Sequence, residues 1–182
     1  MLPEPPLVGR ALALAAELAF AHSSSPEAGR LLHLLAGQRG RERVGEIGTG
    51  TGVGTAWLAS ALAPGVPLYT AEVVQERARA AAALFAADDA VHVLQGRWRE
   101  VLPEHGPFDL LFYDGGRTQR PDEEGEEVVA LLSPGGTVVL DDLHEAHGSD
   151  PVRGFWLGHP RLVGMEIGLA PAMRAIVCVR VL

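Results

Sequence analysis

"VGEIGTGTGVGTAWLASAL", residues 44–62, decides the fold of this chain. An apolar run of strand length meets an acid, Glu46, and is followed by Gly48, Gly50, Gly52 and Gly54 at alternate positions. Beyond the glycines the pattern turns helical over 55–62 and stops at Pro64-Gly65. Glycine lets the backbone take positive φ and come close to a ligand. The stretch therefore predicts a strand, a tight turn and a helix, with a ligand held in the turn.

The same alternation continues on both sides. Residues 8–21 and 26–37 have helical spacing, and the second helix opens with a Ser cap, Pro26 and Glu27 and ends at Gly37. Strands are expected at 44–47, 66–74, 91–96, 107–116 and 137–143, separated by helices at 55–62, 75–87 and 122–132, the last stopped by "SPGG". A short helix at 154–159 and two final strands, 161–169 and 172–182, complete the chain. The strands are continuous apolar runs, the pattern of a parallel sheet covered by helices on both faces. This predicts one α/β domain over 1–182, a doubly wound, mostly parallel sheet with an antiparallel C-terminal strand. Residues 1–40 would form N-terminal helices and 43–182 the ligand-binding core.

Composition excludes several classes. The 182 residues are 47% hydrophobic, as in a globular chain. No apolar run reaches the length of a membrane span, and the N-terminus lacks the basic-then-apolar pattern of a signal peptide. A cytoplasmic protein is expected, with no membrane partner. The net charge of −8 argues against nucleic acid, and Arg39, Arg41 and Arg43 read as a solvated loop. The lone Cys178 reads as a core thiol. The chain contains no Lys and no Asn, so every permanent cation is Arg. The apolar helix "ALALAAELAFA", residues 11–21, is a candidate face for a homodimer.

In a doubly wound sheet, ligands bind at the C-terminal strand ends. Glu46 and the glycines, Glu72, Gly96, Asp114, and Asp141 with Asp142 occupy five such ends in succession. The dinucleotide pattern G-x-G-x-x-G would need Gly where Val53 or Thr55 stands. A carboxylate two residues before the first glycine suits a cationic ligand. Glu72, 20 residues beyond Gly52, is placed to accept both hydroxyls of a ribose. A ligand with adenine, ribose and a cationic amino-acid end fits, namely S-adenosylmethionine.

The glycine stretch resembles motif I of class I S-adenosylmethionine-dependent methyltransferases. The segments "SPEAGRLLHLLAG", "LYTAEVV", "VLQGRWREVLP", "FDLLFYDGG" and "LLSPGGTVVLDDL" resemble, in order, those of the catechol and caffeoyl-CoA O-methyltransferase group, over about residues 25–145. The resemblance implies O-methylation of a small molecule. It places Glu46, Gly48, Thr49, Gly50, Thr51 and Gly52 at the methionine end, and Glu72 on the ribose. Val73, Gly96, Arg97 and Trp98 would border the adenine. Asp114 would face both the cofactor and the reacting atoms, and Asp114, Asp141 and Asp142 would hold Mg²⁺ or another divalent cation. Two positions depart from the group: Asp142 stands where Asn is common, and Arg117 where Lys is often the base. Arg cannot be deprotonated in a protein. His144, in "DDLHEAH" with His147, becomes the candidate base of a metal-free route, and Arg117 or Arg120 a candidate clamp for an acidic substrate. Two competing readings are a cofactor-binding module without catalysis and a nicotinamide-dependent oxidoreductase.

Overall fold

A computed structural model describes residues 3–114, 124–143 and 150–181, and of Asp142 the backbone alone. The chain order is α1 (Pro6–Glu17), α2 (Pro26–Ala36), β1 (Val44–Ile47), α3 (Val53–Ala59), β2 (Leu68–Glu72), α4 (Gln75–Phe85), β3 (Val91–Gln95), α5 (Trp98–Val101), β4 (Phe108–Tyr113), α6 (Glu126–Ala130), β5 (Leu132–Leu143), α7 (Pro151–Gly158), β6 (Leu162–Ala170) and β7 (Met173–Arg180). The seven strands form one sheet in the order β3-β2-β1-β4-β5-β7-β6. The first five are parallel, and β7 runs antiparallel to both β5 and β6. The expected doubly wound sheet with an antiparallel end is what the chain forms. Strand order reverses between β1 and β4, so the crevice of such a sheet opens above the glycine turn.

Alternate residues of β4 feed two cores. Leu111 and Tyr113 pack with Val128, Leu140 and Trp156 on one face, while Leu110 and Phe112 pack with Leu32, Trp57 and Phe85 on the other. Cys178 is buried in the first core, where burial pushes its thiol up to about 11, as expected of a packing residue. Among the described residues no helix is long and apolar enough to cross a membrane.

Three local expectations need revision. "SPGG" does not precede the fifth strand but lies within it: β5 already pairs at Phe108↔Leu132, then shifts register before Leu110↔Thr137. The shift places extra β5 residues between the two pairs, and Gly135, whose φ is 78°, lies among them. Helix α1 ends at Glu17 rather than 21. There Ala19 turns left-handed (φ 49°) and the Phe20 N–H returns to the Ala15 carbonyl at 2.9 Å. Arg41 is not solvated. Its guanidinium donates to the Leu35 carbonyl at 3.0 Å and the Asp109 carbonyl at 2.8 Å, and pairs with the Asp109 carboxylate.

The α2–α3 contact is closed by an absent side chain. A Cβ on Gly29 would lie 2.1 Å from Trp57 Nε1, and Trp57 is buried. Gly29→Ala is expected to cost about 1–3 kcal/mol through overpacking. Urea unfolding of the variant checks this, and an unchanged midpoint would mean that Trp57 has room to move.

Candidate functional site

Three strand ends converge on the turn after β1. The N–H groups of Gly48 and Thr49 both donate to the Ala71 carbonyl of β2 at 3.1 Å, and the Asp114 N–H donates to Ile47 at 2.9 Å. Gly48 has φ 100°, and a Cβ there would meet the Asp114 carbonyl oxygen at 2.2 Å. Gly52, with φ 89°, caps α3 against the ring of Phe85. Both positions need glycine on conformation and on space. The turn thus exposes its upper backbone surface while its edges lock into β2 and β4.

Above it lies a cleft of about 1150 Å³. Of the residues expected at a cofactor site, Gly48, Thr49, Gly50, Thr51, Glu72, Val73, Gly96, Arg97, Trp98 and Asp114 border it. The Glu72 carboxylate is nearly buried and accepts from the N–H groups of Gly50 and Val74, each at 2.8 Å, and from Arg77 at 2.9 Å. Val73 is exposed on the rim. Trp98 is half-buried, with the Arg99 guanidinium 5.3 Å from its ring centroid. Asp114 Oδ2 accepts from the Ser24 hydroxyl at 3.4 Å.

Glu46 stands elsewhere. Its carboxylate is fully buried beneath the turn, where it accepts hydrogen bonds from Thr55 and, at 2.5 Å, from Thr70; Thr70 also meets Thr49 at 2.6 Å. Oε1 is buried and has no hydrogen-bond partner among the described residues. Burial raises the Glu46 carboxyl from its ordinary 4.5 to about 7; the two threonine hydroxyls oppose the shift and the Glu72 charge adds to it.

Of the three aspartates expected to share a metal, Asp114 and Asp141 directly follow Tyr113 and Leu140, a paired position of the parallel strands β4 and β5. Asp141 is 2% exposed within β5, and it is not among the described residues bordering the cleft. The side chain of Asp142, and all of Arg117, Arg120, His144 and His147, lie outside the described residues. Among the described residues no group of three His, Cys, Asp or Glu side chains could hold a metal ion.

Several cleft residues carry no signal in the sequence. Phe20, His22 and Ser24 come from the segment between α1 and α2, Arg77 from the first turn of α4, and Tyr113 and Glu124 from the β4–α6 side. The Tyr113 hydroxyl donates to Glu124 at 2.6 Å, and burial with the Glu124 carboxylate drives its pKa well above the usual phenol range. Tertiary packing alone brings these residues to the cleft.

A methyltransferase domain family model matches residues 46–143. A Mycobacterium tuberculosis protein named "probable O-methyltransferase" is 35% identical over 122 residues, which cover 64% of this chain and 54% of that protein. The chain spans about half the length of the curated relatives it matches. Among solved structures, the O-methyltransferase TomG of Streptomyces achromogenes, in complex with S-adenosylmethionine, is 26% identical with TM-score 0.80, covering 100% of this chain and 92% of that one. The Bacillus cereus O-methyltransferase in complex with S-adenosylhomocysteine shares the fold, with TM-score 0.79, 24% identity and coverage of 99% and 93%.

The buried Glu46 gives a signature in stability. Its folded pKa of about 7 lies above the ordinary 4.5, so between these values the folded chain holds a proton that the unfolded chain has released. Stability from this group is fully present below the unfolded value and is lost as pH rises through about 7. Wild-type protein should lose on the order of 3 kcal/mol from this source between pH 4.5 and 8. Glu46→Gln should not. Denaturant melts of both across that range check it, and a pH-independent difference between them would contradict the shift.

Proposed function

The chain belongs to the methyltransferase domain family, and on that premise we propose that it is an S-adenosylmethionine-dependent methyltransferase acting on an oxygen of a small molecule. One observation carries the reading. The glycine turn and the Glu72 carboxylate, joined by the Gly50 N–H at 2.8 Å, face a cleft of about 1150 Å³ at the switch point of the sheet. The residues fit the cofactor. The upper backbone of the turn leaves room for a methionine end, Glu72 keeps acceptor capacity for a ribose, and Val73 and Trp98 offer apolar surface beside an adenine. The named relatives and the cofactor-bound neighbour of like fold support the same chemistry.

When bound, the cofactor supplies a methyl group made electrophilic by its sulfonium. What the chain supplies is alignment, because an in-line displacement gains much of its rate from positioning. Asp114, tied by its N–H to β1 and by its carboxylate to Ser24, stands where the turn meets the acceptor side. The acceptor's proton must leave for a base as the new C–O bond forms and the C–S bond breaks. Asp114 and His144 are the groups we assign to that task. We assign Glu46 to holding the turn from below rather than to direct contact, on the strength of its full burial.

The finer reading adds Mg²⁺ on Asp114, Asp141 and Asp142, a cytoplasmic setting and a second copy as partner. The first is supported by the resemblance, the second by the lone buried Cys178, and the third by the exposed Leu12 on α1. The net charge of −8 supports a small-molecule acceptor over a nucleic acid.

Titration calorimetry with S-adenosylmethionine and S-adenosylhomocysteine tests the cofactor. Micromolar binding is expected, weakened about 10- to 100-fold in Glu72→Ala through loss of a charge-assisted hydrogen bond. Binding stimulated by Mg²⁺ and no longer stimulated in Asp141→Ala would place a cation in the site. Absence of binding by the folded wild type would refute the reading.

A further inference from the structure

Among the described residues Arg77 is the one charged group that pairs with the Glu72 carboxylate, and neither the motif nor the resemblance gives it a role. It stands in the first turn of α4 and borders the cleft. Its guanidinium donates to Glu72 Oε1 at 2.9 Å and lies 5.2 Å from the ring centroid of Phe20. Its Nε is buried and, among the described residues, has no hydrogen-bond partner. Phe20 is itself seated on the glycine turn: a Cβ on Gly50 would be 2.9 Å from its ring. The ion pair on one side and the aromatic face on the other hold the planar guanidinium in one place.

The hydrogen-bond inventory of Glu72 makes this placement consequential. A carboxylate offers about four acceptor positions. Val74 N–H and Arg77 occupy Oε1, and Gly50 N–H occupies one position of Oε2. One position remains, on Oε2. A vicinal diol brings two hydroxyls, so the carboxylate as arranged can serve only one of them. The other hydroxyl must find a different partner or displace one of the three. A hydroxyl accepts as well as donates, and a guanidinium has five donors.

We propose that Arg77 is the second half of the ribose subsite: one ribose hydroxyl donates to Glu72 Oε2 and the other accepts from the Arg77 guanidinium, which Phe20 holds in position. This rests on the cofactor reading above and adds to it a specificity-determining residue. The ribose is then read by an acceptor and a donor side by side, and each hydroxyl is required for a different reason.

The test measures affinities of S-adenosylhomocysteine and its 2′-deoxy and 3′-deoxy analogues for wild type, Arg77→Ala and Arg77→Lys. Wild type should bind each deoxy analogue about tenfold more weakly than the parent, the worth of one hydrogen bond to a charged group. Arg77→Ala should bind the parent about tenfold more weakly and should cease to discriminate against one of the two analogues while still discriminating against the other. Arg77→Lys should restore part of the lost ratio. A merely structural role would weaken all three ligands alike and leave both ratios intact, and that result would overturn the assignment. So would parent binding that is equal or tighter in Arg77→Ala, which would make Arg77 a shield over Glu72. Should the alanine variant unfold, Arg77→Gln, which keeps much of the stem, serves in its place with the same expected loss of one ratio. Wild-type protein that binds none of the three ligands would refute the cofactor reading and this assignment together, whereas wild-type binding with unchanged ratios in the variants refutes Arg77 alone.

Discussion

A carboxylate buried at the centre of the sheet is the constraint on which the rest of this structure depends. Glu46 is 0% exposed on β1, the middle strand of the doubly wound core. A bare charge there would be very costly. The chain answers with hydroxyls from two other elements, Thr55 of α3 and Thr70 of β2. Those bonds draw α3 and β2 onto β1 beneath the turn. Thr70 passes the network on to Thr49 in the turn itself. Gly54 completes the fit: a Cβ at that position would lie 2.5 Å from Glu46 Oε1. The fourth glycine of the run therefore belongs to the buried carboxylate, while Gly48 and Gly52 answer to the backbone path. One sequence pattern holds two separate physical requirements.

That distinction governs what could be read from sequence. Strands β1 to β5 were legible because each is a local apolar run ending in Gly or an acid, and their parallel direction followed from their alternation with helices. The cleft residues at the strand ends were legible for the same reason, since a strand end and the residues just beyond it have a fixed address. What escaped was whatever depends on contact between distant segments. Phe20 reaches the turn only because Ala19 takes a left-handed conformation at the end of α1, and nothing in the local sequence announces an Ala there. Arg41 reads as a loop cation until Asp109, 68 residues away, is placed beside it. "SPGG" reads as a stop because its local preference is for a turn, yet pairing of Leu132 with Phe108 extends β5 through it. In each case a tertiary contact outweighs a local preference.

The absence of lysine shapes the cleft as well. Among the described residues its permanent cations are the guanidinium groups of Arg77, Arg97 and Arg99, set in an acidic chain. Arg77 pairs with Glu72, and Arg99 bridges Glu124 and Glu127 while lying over Trp98. A guanidinium can form an ion pair and stack on an aromatic ring at once, and it keeps its charge at any pH the fold survives. Two of these three cations use both properties. The described cations of the cleft are thus permanently charged and donor-rich, and none of them can take up a proton.

The Asp114 side of the cleft is organised differently, and it includes the N-terminal segment. The main chain of Asp114 is locked, its N–H to Ile47 and its carbonyl against Gly48. Its carboxylate accepts from the Ser24 hydroxyl at 3.4 Å. Ser24, His22 and Phe20 lie on the one stretch that joins α1 to α2, and all three border the cleft. Separating residues 1–40 from the core describes the order of the chain but cuts through the site. The first helix, by turning left-handed at Ala19, aims that stretch across the glycine turn, so its packing against α3 and α4 fixes the lateral position of the wall that faces Asp114. The cofactor end of the cleft is built by the sheet. Its opposite wall is the stretch that α1 holds in place, and that stretch touches both sides of the cleft, Asp114 through the Ser24 hydroxyl and the Arg77–Glu72 pair through Phe20.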